Sequence, residues 1–350
     1  MVKPLAISAT GMLCGVGLSS AASCAAIRCA IDRFDETQFI DRAGEWIVGS
    51  QAPLDPPARG RSKILQMAAS VTNEALSSAT AAHKDIALLL CVSETTRPGR
   101  FGGLDESLML DLEQSLETRF HASSRVFQTG RVGGLEALAA ASDLIHADEV
   151  KACVVVGSDT FLVGITIREY EAKQRLLTSE NSNGFVPGEG AAAVLLQPVA
   201  ANDTTSLRCC GIGFADETAT IDSDTPLKAD GLSTAFKAAF ADAEIDYTKL
   251  DYRLTDNNGE QYGFKEAALA VQRTLRLRKE QFDIWHAADC LGEVGAATVP
   301  IALSVAAAAA EKGYAPGPGA LLHVGNDDGR RGALILHQGD PTERTAQGAA

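Results

Sequence analysis

The chain has 350 residues, 46% of them hydrophobic, enough to bury one large core or two smaller ones. Aromatic residues make up only 5% and alanine fills many apolar positions, which suits helices packed closely on sheets and speaks against an all-β sandwich. A formal charge of −14 argues against nucleic acid or an anionic membrane as partner and, unless a local basic patch exists, against an acidic carrier protein.

In chain order, LAIS near residue 5 reads as a strand, followed by the glycine turn GMLCGVG and a helix over 19–31. The segment 64–76 has helical period, and IALLLCV at 86–92 is a continuous apolar run, as in a strand buried on both faces. A helix over 105–118, the short strand SRVF at 124–127 and a helix over 134–145 follow. KACVVVG at 151–157 is a second buried strand, then come a helix over 165–176 and GFVPGEGAAAVLLQP, a turn entering a strand. The second part repeats the theme. SLRCCGIGF is a strand, 233–243 a helix, YRLTDNNG a strand entering a loop, and 264–275 a helix. FDIWHA is a strand entering a turn, 294–311 a long helix, and LLHVG and RGALILH are the closing strands.

Such alternation predicts an α/β fold with mixed sheets. The similar order of the two parts predicts a structural duplication, with residues 1–200 and 201–340 as halves, the join near 199–206, and a frayed tail over 341–350. The eight cysteines form no C-x-x-C pair and sit mostly in apolar runs, which reads as reduced, buried thiols of a cytosolic protein. The six histidines are scattered, so no metal site is expected. The N-terminus predicts no signal peptide, and the apolar run 299–310 is too short to span a bilayer and reads as a core helix.

Most motifs have plain readings. GMLCGVG lacks the spacing of a dinucleotide cradle and reads as a strand-to-helix turn. No G-x-S-x-G elbow, phosphate-binding loop or H-E-x-x-H is present. NDDGRRG at 326–332 has too few regularly spaced oxygen ligands for calcium and reads as a solvated turn. In GFVPGEG, Glu189 is trapped between Gly188 and Gly190 just before a strand, where a carboxylate caps loop N–H groups or pairs with a base.

Taken together, ISATGMLCGVG, SCAAIRCAIDRFDETQF, KACVVVGSDTF, GFVPGEGAAAVLL, AFKAAFADAEIDYTKLDY and DCLGEVGAA resemble the β-ketoacyl synthases of the thiolase fold, in order and over nearly the whole chain. The most specific stretch is GFVPGEGAA, close to the signature Gly-Phe-x-x-Gly-Glu-Gly-Ala. The resemblance implies two similar halves, each a mixed five-stranded sheet layered with helices, in an α-β-α-β-α arrangement. It also implies a homodimer pairing through the strand before the nucleophile corner, here SRVF.

Members of that family condense acyl groups with one cysteine and two histidines, the cysteine activated at a helix N-terminus. Matching GGLEAL puts the cysteine position at Arg131. The loop after YRLTD puts the first histidine at Asn258, to within about one residue, and LGEVG puts the second at Asp289. A lysine five residues earlier falls on Ile284, and the glycine-phenylalanine gate on the NDDGRR turn. Arginine stays protonated and is no nucleophile at neutral pH. Asn258 shuttles no proton, and Asp289 would repel an enolate.

The expectation is therefore a dead site in a retained fold, with no catalytic residue and no cofactor, in which Arg131, Asn258 and Asp289 form a polar network or point to solvent in an open cleft. Cys290, beside Asp289 and near His286, is the alternative nucleophile. The function expected is that of a cytosolic adaptor or scaffold with a protein partner. The short length resembles thiolase-like accessory proteins associated with type VI secretion effector loading. The alternatives are a chain-length-factor-like partner of an active synthase and an acyltransferase with an unorthodox site.

Overall fold

The structure, a computed structural model, describes residues 4–341; residues 342–350 of the expected tail lie outside the described residues. Five strands of the first part are β1 (Leu5–Cys14), β4 (Ile86–Cys91), β5 (Arg125–Phe127), β6 (Ala152–Thr160) and β7 (Glu189–Pro198). Five of the second are β8 (Leu207–Asp216), β9 (Tyr252–Thr255), β10 (Asp283–Trp285), β11 (Gly319–Gly325) and β12 (Arg330–Gln338). They form one sheet in the order β10-β9-β11-β12-β8-β1-β7-β6-β4-β5. Read outward from the middle, each set of five follows the same path. Its first strand is antiparallel to its fifth, the fifth antiparallel to its fourth, and the fourth, second and third run parallel. The two sets meet where β1 pairs with β8 over only two residues, Leu5 opposite Cys209 and Ala6 opposite Arg208. The five-stranded layers are thus continuous through one narrow seam, and the connector 199–206 runs between β7 and β8.

Alternation along the strands builds the layers. In β4, Ala87, Leu89 and Cys91 face one core, whereas Ile86, Leu88 and Leu90 face another. The first core holds α4 (Gly133–His146) and α9 (Thr298–Glu311), and it also receives Leu254, Leu322 and Leu334 from the second set of strands. The second holds α2 (Gly60–Leu76) and α3 (Glu106–Ser115). A third packs α6 (Asp230–Ala243) and α7 (Gln261–Thr274) on the far side of the second set. The result is five layers, with α4 and α9 sandwiched at the centre; both are rich in alanine, which lets them sit close to strands on either side.

Boundaries that differ from the sequence reading have local causes. Helix α1 spans Ser20–Arg28, with Ser19 as its cap accepting from the Ala22 N–H. Helix α5 (Gly164–Ala172) ends before residue 176 because Gln174 takes a φ of +55°, which turns Arg175 back toward Tyr170 and the interior. A hairpin of β2 (Asp35–Ile40) and β3 (Trp46–Gly49) stands where only a connector was expected. Its inner residues Phe39 and Ile47 pack on Phe161 and Leu162, while Ile40, Trp46 and Val48 are exposed. Helix α8 (Ala288–Leu291) is a single turn inside the loop that leads to α9.

Candidate functional site

The corner before α4 is a tight turn over Gly130–Val132. Gly130 has φ +59°, and a Cβ there would lie 2.5 Å from Glu94 Oε2, so a larger residue would carry backbone strain and push Glu94 aside. The turn directs Arg131 into the interior, where its side chain keeps 14% of its exposure. Nη1 donates to Glu293 Oε2 at 3.0 Å and Nη2 to Asp327 Oδ1 at 2.6 Å, while Nε lies 3.8 Å from Asp256 Oδ2. Burial works against the charge, but Glu293, Asp327 and Asp256 outweigh it and hold the guanidinium well above its ordinary pKa.

The second loop reaches the same carboxylate. Asn258 Nδ2 donates to Glu293 Oε2 at 2.7 Å, and the other oxygen, Oε1, accepts the Gly295 N–H at 2.9 Å. Asp289 does not join them. Its side chain is 73% exposed and lies 3.1 Å from His286 Nδ1. The reason is helical phase. Asp289 lies on the solvent side of the single turn of α8; Gly292, at φ +66°, then reverses the chain and presents Glu293, four residues later, to Arg131. Glu293 is pinned by its backbone as well, its N–H on Val186 O and its carbonyl accepting from Gly188. Sequence matching carried a signal for this residue, since Glu293 stands where LGEVG departs from Leu-Gly-Ala-Ala-Gly, an acid in an alanine's place.

NDDGRRG is likewise more than a solvated turn. Asp327 accepts from Arg131, from Arg175 Nη1 at 2.6 Å and from the Tyr170 hydroxyl at 3.2 Å. Two guanidinium groups hold its carboxyl below the usual range in spite of burial. Arg175 forks onto Glu260 at 2.7 and 2.8 Å. Asn326 fastens the corner itself, accepting from Val132 N at 3.2 Å and donating to Thr129 O at 2.7 Å. Behind the corner Arg97 binds Glu94 through two nitrogens at 2.7 and 2.6 Å and stands 3.2 Å from Asp159. Burial raises Asp159 to about 6, against the pull of Arg97.

Glu189, in the glycine loop, serves two roles at once. It accepts from Ala52 N and from the Thr160 hydroxyl, both at 2.9 Å, and pairs with Lys63. A Cβ on Gly188 would meet Leu291 O at 2.1 Å, so the loop and the Leu291–Glu293 segment touch backbone to backbone. Cys290 is buried, and its thiol is pushed up to about 11 by that burial, with Asp289 adding to the rise. A nucleophilic cysteine needs the opposite shift. No group of three or more His, Cys, Asp or Glu able to hold a metal exists among the described residues.

Repeated five-strand paths around two central helices, with a corner turn at the start of one of them, can be compared with known proteins. Residues 114–202 match the model described as "Beta-ketoacyl synthase, N-terminal domain". The chain superposes on a chain from the structure of a type II PKS acyl-carrier protein in complex with its ketosynthase, with a TM-score of 0.80, 14% identity, and 97% of this chain and 100% of that one covered. This is the ketosynthase, thiolase-like fold. A ketosynthase in complex with its chain length factor from Xenorhabdus doucetiae gives a TM-score of 0.72 at 14% identity, covering 96% of this chain and 98% of that one. The ketosynthase from module 6 of the bacillaene synthase of Bacillus subtilis 168 gives 0.75 at 13% identity, covering 96% and 72%. No curated protein matches the sequence. Within the ketosynthase-like fold, the matched stretch contains the Arg131 corner, β6 and the glycine loop, and ends just past β7.

Proposed function

We propose that this protein is a catalytically inactive ketosynthase-fold binding protein, acting in the cytosol as an adaptor or scaffold for a protein partner and assembling as a homodimer. The observation that carries the reading is the Arg131–Glu293–Asp327 ion cluster at the corner where the family resemblance seats the nucleophile. Condensation needs a thiolate there and two groups able to exchange protons beside it. Arg131 supplies neither electron pair nor proton at neutral pH, and Asn258 is committed to Glu293. Cys290 fails as a substitute because its thiol stays protonated.

Mass spectrometry of the protein after incubation with an acyl thioester and with a malonyl thioester tests this. The expected outcome is no mass gain and no release of carbon dioxide. An acyl adduct that disappears in Cys290→Ala, or any adduct at all, restores the acyltransferase reading.

A chain-length-factor-like role alongside an active synthase is favoured by one observation: the chain overlays a chain from each of two solved complexes of a ketosynthase with its chain length factor, over 96–97% of its own length. An accessory role in type VI secretion rests on the substituted site. Co-purification with proteins encoded next to it separates the two: an active synthase supports the first and a secretion effector the second.

A further inference from the structure

Beside the ion cluster, on the side away from Arg175, lies a cavity of about 350 Å³. Helix α9 forms its floor with Ile301 and Val305, and Trp285 and Tyr314 form aromatic walls whose rings are 6.4 Å apart and within 26° of parallel. The cavity runs from solvent inward. Its outer end is marked by the exposed Ala30 and Asp289, and by Arg28 stacked 4.1 Å over the Tyr314 ring. Its inner end is marked by Leu254, Ile301 and Glu293, all at 3% exposure or less, and by Asp256. For scale, an engineered apolar cavity of roughly 150 Å³ accepts benzene, so this one has room for an aromatic ring plus a short chain.

The inner end has a charge imbalance. Glu293 is fully engaged by Arg131, Asn258 and the Gly295 N–H. Asp256 is not. Its Oδ2 accepts the Gly325 N–H at 2.8 Å and sees Arg131 Nε only at 3.8 Å. Its Oδ1 is 3.4 Å from the Thr255 hydroxyl, long for an O–H···O bond. Burial accordingly raises this carboxyl, and Arg131 offsets that only in part. This largely buried carboxylate has spare acceptor capacity at the bottom of an apolar tube, and the cation nearest it, Arg131, is shared with the closer Glu293 and Asp327, which leaves room for a second cation. Arg28 cannot supply it from the exposed mouth, where solvent screens its charge.

We propose that this cavity is a binding site for a small organic amine: an apolar, preferably aromatic, body packed beside Trp285 and Tyr314 on the Ile301–Val305 floor, with its ammonium on Asp256. The site does not depend on whether the Arg131 corner is catalytically silent. It differs in chemistry from a pocket for a carboxylic acid or thioester, whose oxygen atoms would face Asp256 and Glu293.

The chain has two tryptophans, and Trp46 is half exposed on the β2–β3 hairpin, so in a Trp46→Phe protein the emission reports on Trp285 alone. That protein is titrated with 2-phenylethylamine, 2-phenylethanol and 3-phenylpropanoate, which share a body and differ in head-group charge. The amine is expected to bind at least about tenfold more tightly than the alcohol, and the carboxylate more weakly than either. Asp256→Asn should bring amine affinity down to that of the alcohol while the alcohol is unaffected. Because Asp256 also faces Arg131, Ile301→Phe is the second variant: it fills the tube, leaves every charge in place, and should abolish binding of the amine. Equal or better binding of the alcohol or the carboxylate overturns the assignment, as does unchanged Trp285 emission with all three compounds.

Discussion

At the scale of single residues, Arg131 is the pivot of the site. Among the described residues it is the one cation paired with both Glu293 and Asp327, and removing it leaves Glu293 with Asn258 and a backbone N–H but no ion pair among those residues. Breaking a buried pair from one side typically costs about 3–5 kcal/mol, more than the pair itself contributes. Arg131→Ala is therefore expected to lower unfolding free energy by about 3–5 kcal/mol in urea titrations, and a loss below about 1 kcal/mol would show that the cluster is not needed for stability. Asp159 gives a pH signature. Its folded pKa of about 6 lies above the ordinary 3.8, so the native state binds the extra proton between those values. The stability it contributes is full below pH 3.8 and is lost as pH rises through 6. The stability of the parent protein relative to Asp159→Asn should fall by roughly 2–3 kcal/mol from pH 4 to pH 6. A difference that stays flat or rises over that window contradicts the assignment.

At the scale of elements, the glycine loop before β7 positions the opposite wall of the site. Glu293 depends on it, since the loop binds the backbone of that residue on both sides. Gly188→Ala would drive a methyl group onto Leu291 O, a backbone atom with nowhere to move, and overpacking of this kind costs about 1–3 kcal/mol. Differential scanning calorimetry should show a clear fall in Tm for Gly188→Ala, and an unchanged Tm would mean that the two segments are not in backbone contact. Helices α4 and α9 were legible from sequence because their alanine-rich runs are long and mostly apolar. The β2–β3 hairpin was not: only alternate residues of a short, polar ribbon are buried, and Phe39 and Ile47 acquire their meaning from Phe161, more than a hundred residues away.

At the scale of the whole molecule, two sets of five strands follow one path and share a central helix layer, joined by a seam of two residue pairs. Most of the cohesion between the sets therefore comes from burial on α4 and α9, not from the seam's hydrogen bonds. Among the described residues strand β5 ends the sheet with one side unpaired, an edge suited to a second copy. Light scattering on a size-exclusion column should give twice the chain mass of 36.6 kDa, and a mass that stays at one chain at micromolar concentration contradicts the dimer.

The sequence by itself determined what depends on local pattern. Apolar runs such as IALLLC and ACVVVG read as strands buried on both faces, alanine-rich runs as helices, and GFVPGEG as a turn entering a strand. It also marked the corner residue, Arg131, and the approach of Asn258. Only the tertiary structure decided the partners. Asp289 and Glu293 are four residues apart and equally acidic, and nothing local says which faces inward. The choice was made by Gly292 reversing the chain and by the Val186–Gly188 backbone gripping it from another element. Asp327 and Arg175 joined for the same reason. A side chain's direction at a loop is set by the elements that close over it, and those lie far away in sequence.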